Sequence, residues 1–284
     1  MLPNGYLVST TISHNKENAM LLQNKNAVIY GGSGAIGGAV ARAFAREGAK
    51  VFLAGRTLAK LDQVAREISA AGGMAETAEI DALDEKAVNK HADAVAANAG
   101  GIDIALNAVG ILHVQGTPFA ELSFRDYAHP ITAYTRTNFL TAKAVARHMV
   151  KQGSGVILTL STPGSRMSAP GFIGYGVTCG AIETFSRILA GELGASGIRV
   201  ICLRPDAIPE AVATSHAREV FSGFAKRAGI TVEEMLAERA RTGTLLKRFP
   251  TLVEVADYAA FVASERAGAM TGAIANLTCG SLVD

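Results

Sequence analysis

Tryptophan is absent from this chain of 284 residues, and cysteine occurs only three times, at Cys179, Cys202 and Cys279. The three thiols lie far apart, form no C-x-x-C pair and leave an odd count. That pattern argues against a disulfide framework and a zinc site and fits a reducing compartment, the cytoplasm by default. Proline is scarce, with eight residues, and no Pro/Gly/Ser-rich linker or break in composition divides the chain. Charge is sparse and nearly balanced, 27 Lys and Arg against 25 Asp and Glu. A net charge of +2 with dispersed basic residues excludes a nucleic-acid surface and an anionic-membrane surface. No apolar run reaches the length of a membrane span. The first 19 residues, MLPNGYLVSTTISHNKENA, lack the basic start and long apolar stretch of a secretory signal. They are expected to be a mobile tail or a start-site artefact, with the domain beginning at Met20.

What is present is ordinary for an α/β protein: 49% apolar residues and 30 glycines. Apolar or alternating runs of strand length recur at 26 to 30, 50 to 55, 74 to 80, 102 to 109, 155 to 161, 199 to 204 and 273 to 279. Between most of them lie segments of helical spacing. Strand and helix alternating from end to end predict one α/β domain over 20 to 284. It would be a Rossmann-type, doubly wound parallel sheet of about seven strands with helices on both faces.

The first of these runs leads into the most informative stretch, NAVIYGGSGAIG at 26 to 37. An apolar strand breaks into glycines and then into the helical spacing of AVARAFAREG. The glycines Gly32, Gly34 and Gly37 fit G-x-G-x-x-G in its required context, strand before and helix after. Such a turn aims backbone N–H groups and the positive end of a helix at one spot, which suits a dinucleotide phosphate. Gly31, Ser33 and Ile36 belong to the same turn. The next strand, KVFLAGR, ends on Gly55 and Arg56, where an acidic residue would hold the ribose 2′-hydroxyl of NAD. A carboxylate is missing and a guanidinium that can pair with a 2′-phosphate is present, so NADP (NADPH) is the expected cofactor. The alternative is an ordinary solvated arginine after a strand.

Residues 206 to 246 form a long insertion with a helical pattern from about Ser215 to Arg241. Its place after the sixth strand suits a lid over the ligand crevice or, alternatively, a packing decoration.

Taken in order, YGGSGAIG at 30 to 37, Asp81, DIALNAVG at 103 to 110, TNF around Asn138, Ser161 and Thr162, Tyr175 and RPDAI at 204 to 208 resemble the short-chain dehydrogenases/reductases. The resemblance runs from about Leu22 to the C-terminus. It implies cofactor contacts from the glycine turn, Arg56, Asp81, Ala82, Asn107, Val109, Gly110, Tyr175, Pro205 and Ile208, and no metal. It also implies hydride transfer between a nicotinamide and a small-molecule carbonyl or alcohol, with a Tyr as acid or base, a Ser holding the substrate oxygen, a Lys and an Asn. Tyr175 and Asn138 match directly, although Asn138 could also be a solvated helix residue. The family's spacing of thirteen residues from Ser to Tyr lands on Thr162, which carries the same hydroxyl. Ser161 is the alternative, and strand alternation would point it to the other face.

The lysine is not matched. Y-x-x-x-K reads YGVTC here, and Cys179 occupies the position one helical turn beyond Tyr175. An unassisted tyrosine titrates near ~10, so about one part in a thousand is tyrosinate at neutral pH. Alcohol oxidation needs that base, whereas reduction needs a proton donor, which neutral Tyr175 still is. The expected function is an NADPH-dependent reductase of a carbonyl, an imine or a polarised double bond. The alternative is a non-catalytic NADP-binding sensor or a degenerate subunit of an oligomer. Further departures from the family are Tyr30 for Thr, Ala35 for Gly, Ala108 for Asn and Asp206 for Gly. Asp206 is expected near the nicotinamide end, where it could repel phosphates or accept from the carboxamide. Family members pair through helices expected here at 133 to 151 and 174 to 194, which implies a homodimer or homotetramer. A stripe of Ala181, Ile182, Phe185 and Leu189 would either pair or face its own sheet.

Overall fold

The computed structural model describes residues 20–283. The expectation of a mobile tail over 1 to 19 lies outside the described residues. Among those described, no helix is long and apolar enough to cross a membrane.

Seven strands, β1 (Asn26–Tyr30), β2 (Lys50–Gly55), β3 (Met74–Glu79), β4 (Ile104–Asn107), β5 (Gly155–Leu160), β6 (Ile198–Pro205) and β7 (Ile274–Leu277), form one sheet in the order β3-β2-β1-β4-β5-β6-β7. Every neighbouring pair is parallel. The central strands are buried on both faces, which is why their sequences are continuous apolar runs. At the edge, β3 is MAETAE and mostly exposed, with charges that deter pairing with another chain.

Helices cover both faces. Those on one side are α1 (Ala35–Arg46), α2 (Leu58–Ala70) and α9 (Leu252–Ala263), whose Val40, Phe44, Leu61 and Ala259 meet Ile29, Leu53 and Leu106 of the sheet. On the other are α3 (Glu85–Ala99), α4 (Phe124–Gln152) and α5 (Ile173–Leu193), whose Val88, Val145 and Ala190 meet Val28, Ala105 and Ile157. Tyr30 ends β1 inside this second cluster, edge-on to the ring of His91 at 5.7 Å between centroids.

Three local departures from the sequence reading have physical causes. First, α4 begins at Phe124, well before the expected 133, because Ser123 caps it by accepting the Asp126 N–H, and Pro130 is accommodated inside the helix. Second, the single helical pattern from Ser215 to Arg241 is two helices. After α6 (Pro209–Thr214), α7 (Ala217–Ala228) ends on Gly229 in the left-handed region, and α8 (Val232–Gly243) restarts in a capping box between Thr231 and Glu234. Third, the stripe on α5 faces its own sheet: Ile182 is buried, and Phe185 and Leu189 pack on the sheet cluster. The large apolar residues that α4 and α5 leave exposed are Phe124, Phe139, Val150, Ile173, Val177 and Ile188.

Candidate active site

The sheet order reverses between β1 and β4, which opens a crevice at the carboxyl ends of the strands. The glycine turn lies there. Gly31 has φ +81°, and a side chain on it would run into the carbonyl of Ala108, while one on Gly37 would collide with the carbonyl oxygen of Gly31. Only glycine lets these three chain segments close up. Helix α1 starts directly after, with Gly34 as a cap that has no side chain and no acid in its first turn. Its first N–H groups and its dipole are thus left for an anion. Ser33 and Ile36 flank this point, and Gly32 packs on Leu53. Arg56, at the end of β2, is exposed and makes no ion pair among the described residues. These features fit the diphosphate of a dinucleotide, with Arg56 beyond it.

The opposite lip is less direct. Asn107 is buried, donates to Thr141 Oγ1 at 3.0 Å and accepts from the Val109 N–H at 3.1 Å, so its side chain shapes the loop that carries Val109 and Gly110. This turn also ends β4 at Asn107, short of the expected 109. Asp81 is exposed and accepts from the Leu83 N–H at 2.9 Å, beside buried Ala82. Pro205 and Ile208 line the inner crevice together with Ile36, Thr162 and Tyr175.

Tyr175 stands in the first turn of α5. Thr162 Oγ1 is 3.3 Å from Cys179 Sγ and accepts from the Gly164 N–H at 3.3 Å, and the Tyr175 phenol lies beside both side chains. Burial, with Cys179 and Tyr134 as neighbours, holds the phenol well above the ordinary tyrosine range. Burial likewise raises the Cys179 thiol. The trio is therefore uncharged at neutral pH: a proton donor, a hydroxyl and a thiol in mutual contact.

Ser161 does not point to the other face, as alternation suggested. Strand β5 ends at Leu160, the chain turns, and the Ser161 hydroxyl also meets α5, donating to Glu183 Oε1 at 2.9 Å. Glu183 accepts in addition from Ser165 Oγ at 2.6 Å and pairs with buried Arg204 at 3.5 Å. Ser161 is thus engaged beneath the site, and Thr162 is the hydroxyl beside Tyr175. Asn138 is buried rather than solvated; its amide donates to the Tyr134 carbonyl at 2.9 Å and its Oδ1 has no partner among the described residues.

Asp206 is a second correction. Instead of an open carboxylate facing the cofactor, it is buried with both oxygens engaged, by Arg239 of α8, by Ser281 near the C-terminus and by the Ala207 N–H. The Arg239 guanidinium neutralises it. No signal at residue 239 announces this partner; only the burial of an acid required one.

Two further residues were not singled out from sequence, His113 and Gln115, in a loop with no motif. The His113 ring stacks on Tyr175, centroids 4.4 Å apart. Over them lies α7, preceded by His216, whose ring fills the space beside Gly110. His113, Gln115, Thr162, Tyr175 and His216 line a cavity of about 160 Å³.

A family model described as enoyl-(acyl carrier protein) reductase matches residues 32–281. Gluconate 5-dehydrogenase of Gluconobacter oxydans is 33% identical over 184 residues, 65% of this chain and 71% of the relative. D-Threitol dehydrogenase of Mycolicibacterium smegmatis is 27% identical over 252 residues, 89% and 90% of the two chains. Among solved structures, 7α-hydroxysteroid dehydrogenase complexed with NADH and 7-oxo glycochenodeoxycholic acid superposes with a TM-score of 0.81 at 26% identity, covering 94% of this chain and 97% of that one. With the family model spanning residues 32–281 and the overall fold shared with solved members, this chain belongs to the short-chain dehydrogenase/reductase family of nicotinamide-dependent oxidoreductases.

Proposed function

We propose that the protein is an NADPH-dependent reductase of a small-molecule carbonyl, imine or polarised double bond, acting in the cytoplasm as a homodimer or homotetramer. The observation that carries this reading is the contact of Tyr175, Thr162 and Cys179 at the floor of the crevice, where no cation among the described residues adjoins the phenol. The glycine turn and the start of α1 would hold the diphosphate, and Arg56 the 2′-phosphate. NADPH, when bound, supplies the hydride. The chain supplies the rest: Thr162 Oγ1 orients the acceptor atom, and Tyr175 donates the proton that atom needs. A lysine in the place of Cys179 would stabilise a tyrosinate; the thiol does not, so the acid form dominates and reduction is the favoured direction. Burial of the phenol works in the same sense.

The test is calorimetric titration of the purified protein with NADPH and NADH, followed by a screen of carbonyl reductions and by Tyr175→Phe. The expected result is tight NADPH binding, weaker NADH binding and turnover that Tyr175→Phe abolishes with nucleotide affinity kept. NADPH binding with no turnover of any carbonyl would favour a cofactor-binding sensor or subunit instead. Binding of neither nucleotide would overturn both.

A further inference from the structure

The loop after β4 buries alternate residues, Ile111, His113 and Gln115. His113 lies flat against the Tyr175 ring, with 19° between the planes. Its Nδ1 is 2.7 Å from the Ile111 carbonyl oxygen, which can only accept, so the hydrogen of the imidazole resides on Nδ1. Burial lowers the pKa of this ring to about 4, which leaves it neutral at pH 7. Nε2 is then a bare acceptor. The side-chain nitrogen of Gln115 lies 2.7 Å from it, so the amide must turn its NH₂ toward His113 and its oxygen away. A backbone carbonyl has thereby fixed the orientation of a glutamine two residues on.

The oxygen so directed, Gln115 Oε1, is buried, and no group among the described residues donates to it. A stranded acceptor of this kind destabilises the fold until a donor meets it. Gln115 stands in the wall between the 160 Å³ cavity at Tyr175 and an adjoining open cavity of about 830 Å³ that extends toward Arg125 and Lys226. Helix α7 seals it from above, with Gly223 set against the Gln115 carbonyl. Only one ring separates the amide from the Tyr175 phenol. Among the described residues the one carboxylate lining the inner cavity, Asp206, is paired with Arg239, so none of them favours a cationic ammonium there.

We infer that Gln115 Oε1 accepts a hydrogen bond from a neutral hydroxyl carried by the substrate next to its reacting carbon, so that the site selects hydroxycarbonyl compounds over plain ketones. The inference rests on the reading of Tyr175 and Thr162 as the reacting end. His113 is a positioning residue here, setting the amide without touching the substrate.

The test uses a matched pair of ligands, 1,2-cyclohexanediol and cyclohexanol, titrated by calorimetry into the full chain with and without NADP⁺. The diol is expected to bind about tenfold tighter, the equivalent of about 1.4 kcal/mol. Gln115→Met, which keeps the volume and removes both polar ends, should bring the ratio close to one. His113→Phe keeps a ring on Tyr175 but frees the amide to turn, and should reduce the ratio as well. A purely structural Gln115 would lower the melting temperature and leave the diol preference intact, which overturns the inference, as does equal or absent binding of the two ligands to the unmutated protein. Reduction of cyclohexanone and 2-hydroxycyclohexanone by NADPH is measured in parallel. Diol preference without reduction would remove the proposed reductase and keep the site; reduction of both ketones at equal kcat/KM would do the reverse.

Discussion

Replacing Cys179 by Lys should move the titration of Tyr175 more than any other single change. The Cys179 side chain is almost fully buried, beside the phenol and 3.3 Å from Thr162 Oγ1. An ammonium at about 5 Å from the phenol oxygen, in a medium of effective dielectric about 20, attracts a tyrosinate by about 3 kcal/mol. That corresponds to a fall of about two pKa units. Burying the new charge reduces the gain, so about one unit is the least that the geometry allows. The readout is the ultraviolet difference spectrum of tyrosinate against pH, with the same titration of Tyr175→Phe in each background subtracted to isolate this ring from the other five of the six tyrosines. The unmutated protein should show no Tyr175 titration up to pH ~10, and Cys179→Lys should bring one into view. Alcohol oxidation at neutral pH should rise by about tenfold to a hundredfold in step, with carbonyl reduction changed far less. A Tyr175 that already titrates below the ordinary tyrosine range in the unmutated protein would refute the reasoning outright. So would a properly folded variant whose phenol does not move.

Arg56→Ala should weaken NADPH binding about tenfold and leave NADH binding unchanged, the measure of one charge-assisted contact to a 2′-phosphate; a parallel loss for both nucleotides would contradict that role. His91 and His113 both have pKa values lowered by burial to about 4. The unfolded chain therefore takes up protons near pH 6.5 that the fold refuses, and stability present above that pH should fall by about 1.5 kcal/mol per histidine between pH 6.5 and pH 5. Urea midpoints at the two pH values measure it, His91→Leu should remove about half, and equal midpoints would disprove it. Phe139 and Ile188 leave α4 and α5 with exposed apolar side chains at 50% and 59% accessibility. If these helices pair between subunits, Ile188→Glu should shift the sedimentation coefficient to that of a monomer without lowering the melting temperature.

The sheet was legible because central parallel strands must be apolar on both faces: all seven runs read from the sequence correspond to strands, most within a residue or two. The glycine turn was legible for a related reason, since close backbone approach at Gly31 and Gly37 admits no other residue. Where the reading failed, the determinants were nonlocal. Ser161 escapes strand alternation because β5 ends one residue earlier, and Asp206 needed a cation that arrives from a helix more than thirty residues on. His113 and Gln115 carry no periodic signal at all; their orientation depends on the Ile111 carbonyl and on the face of Tyr175, neither of which a spacing rule can locate.

The carboxylate of Asp206 fastens Arg239 and Ser281 to the end of β6, so the segment after β7 and the helical cover of the crevice share one anchor. A Ser281→Ala substitution would loosen that knot from its far side. The segment around Ser281 thereby becomes a handle on the doorway, and proteins differing only at Ser281 should differ in how fast nucleotide enters and leaves.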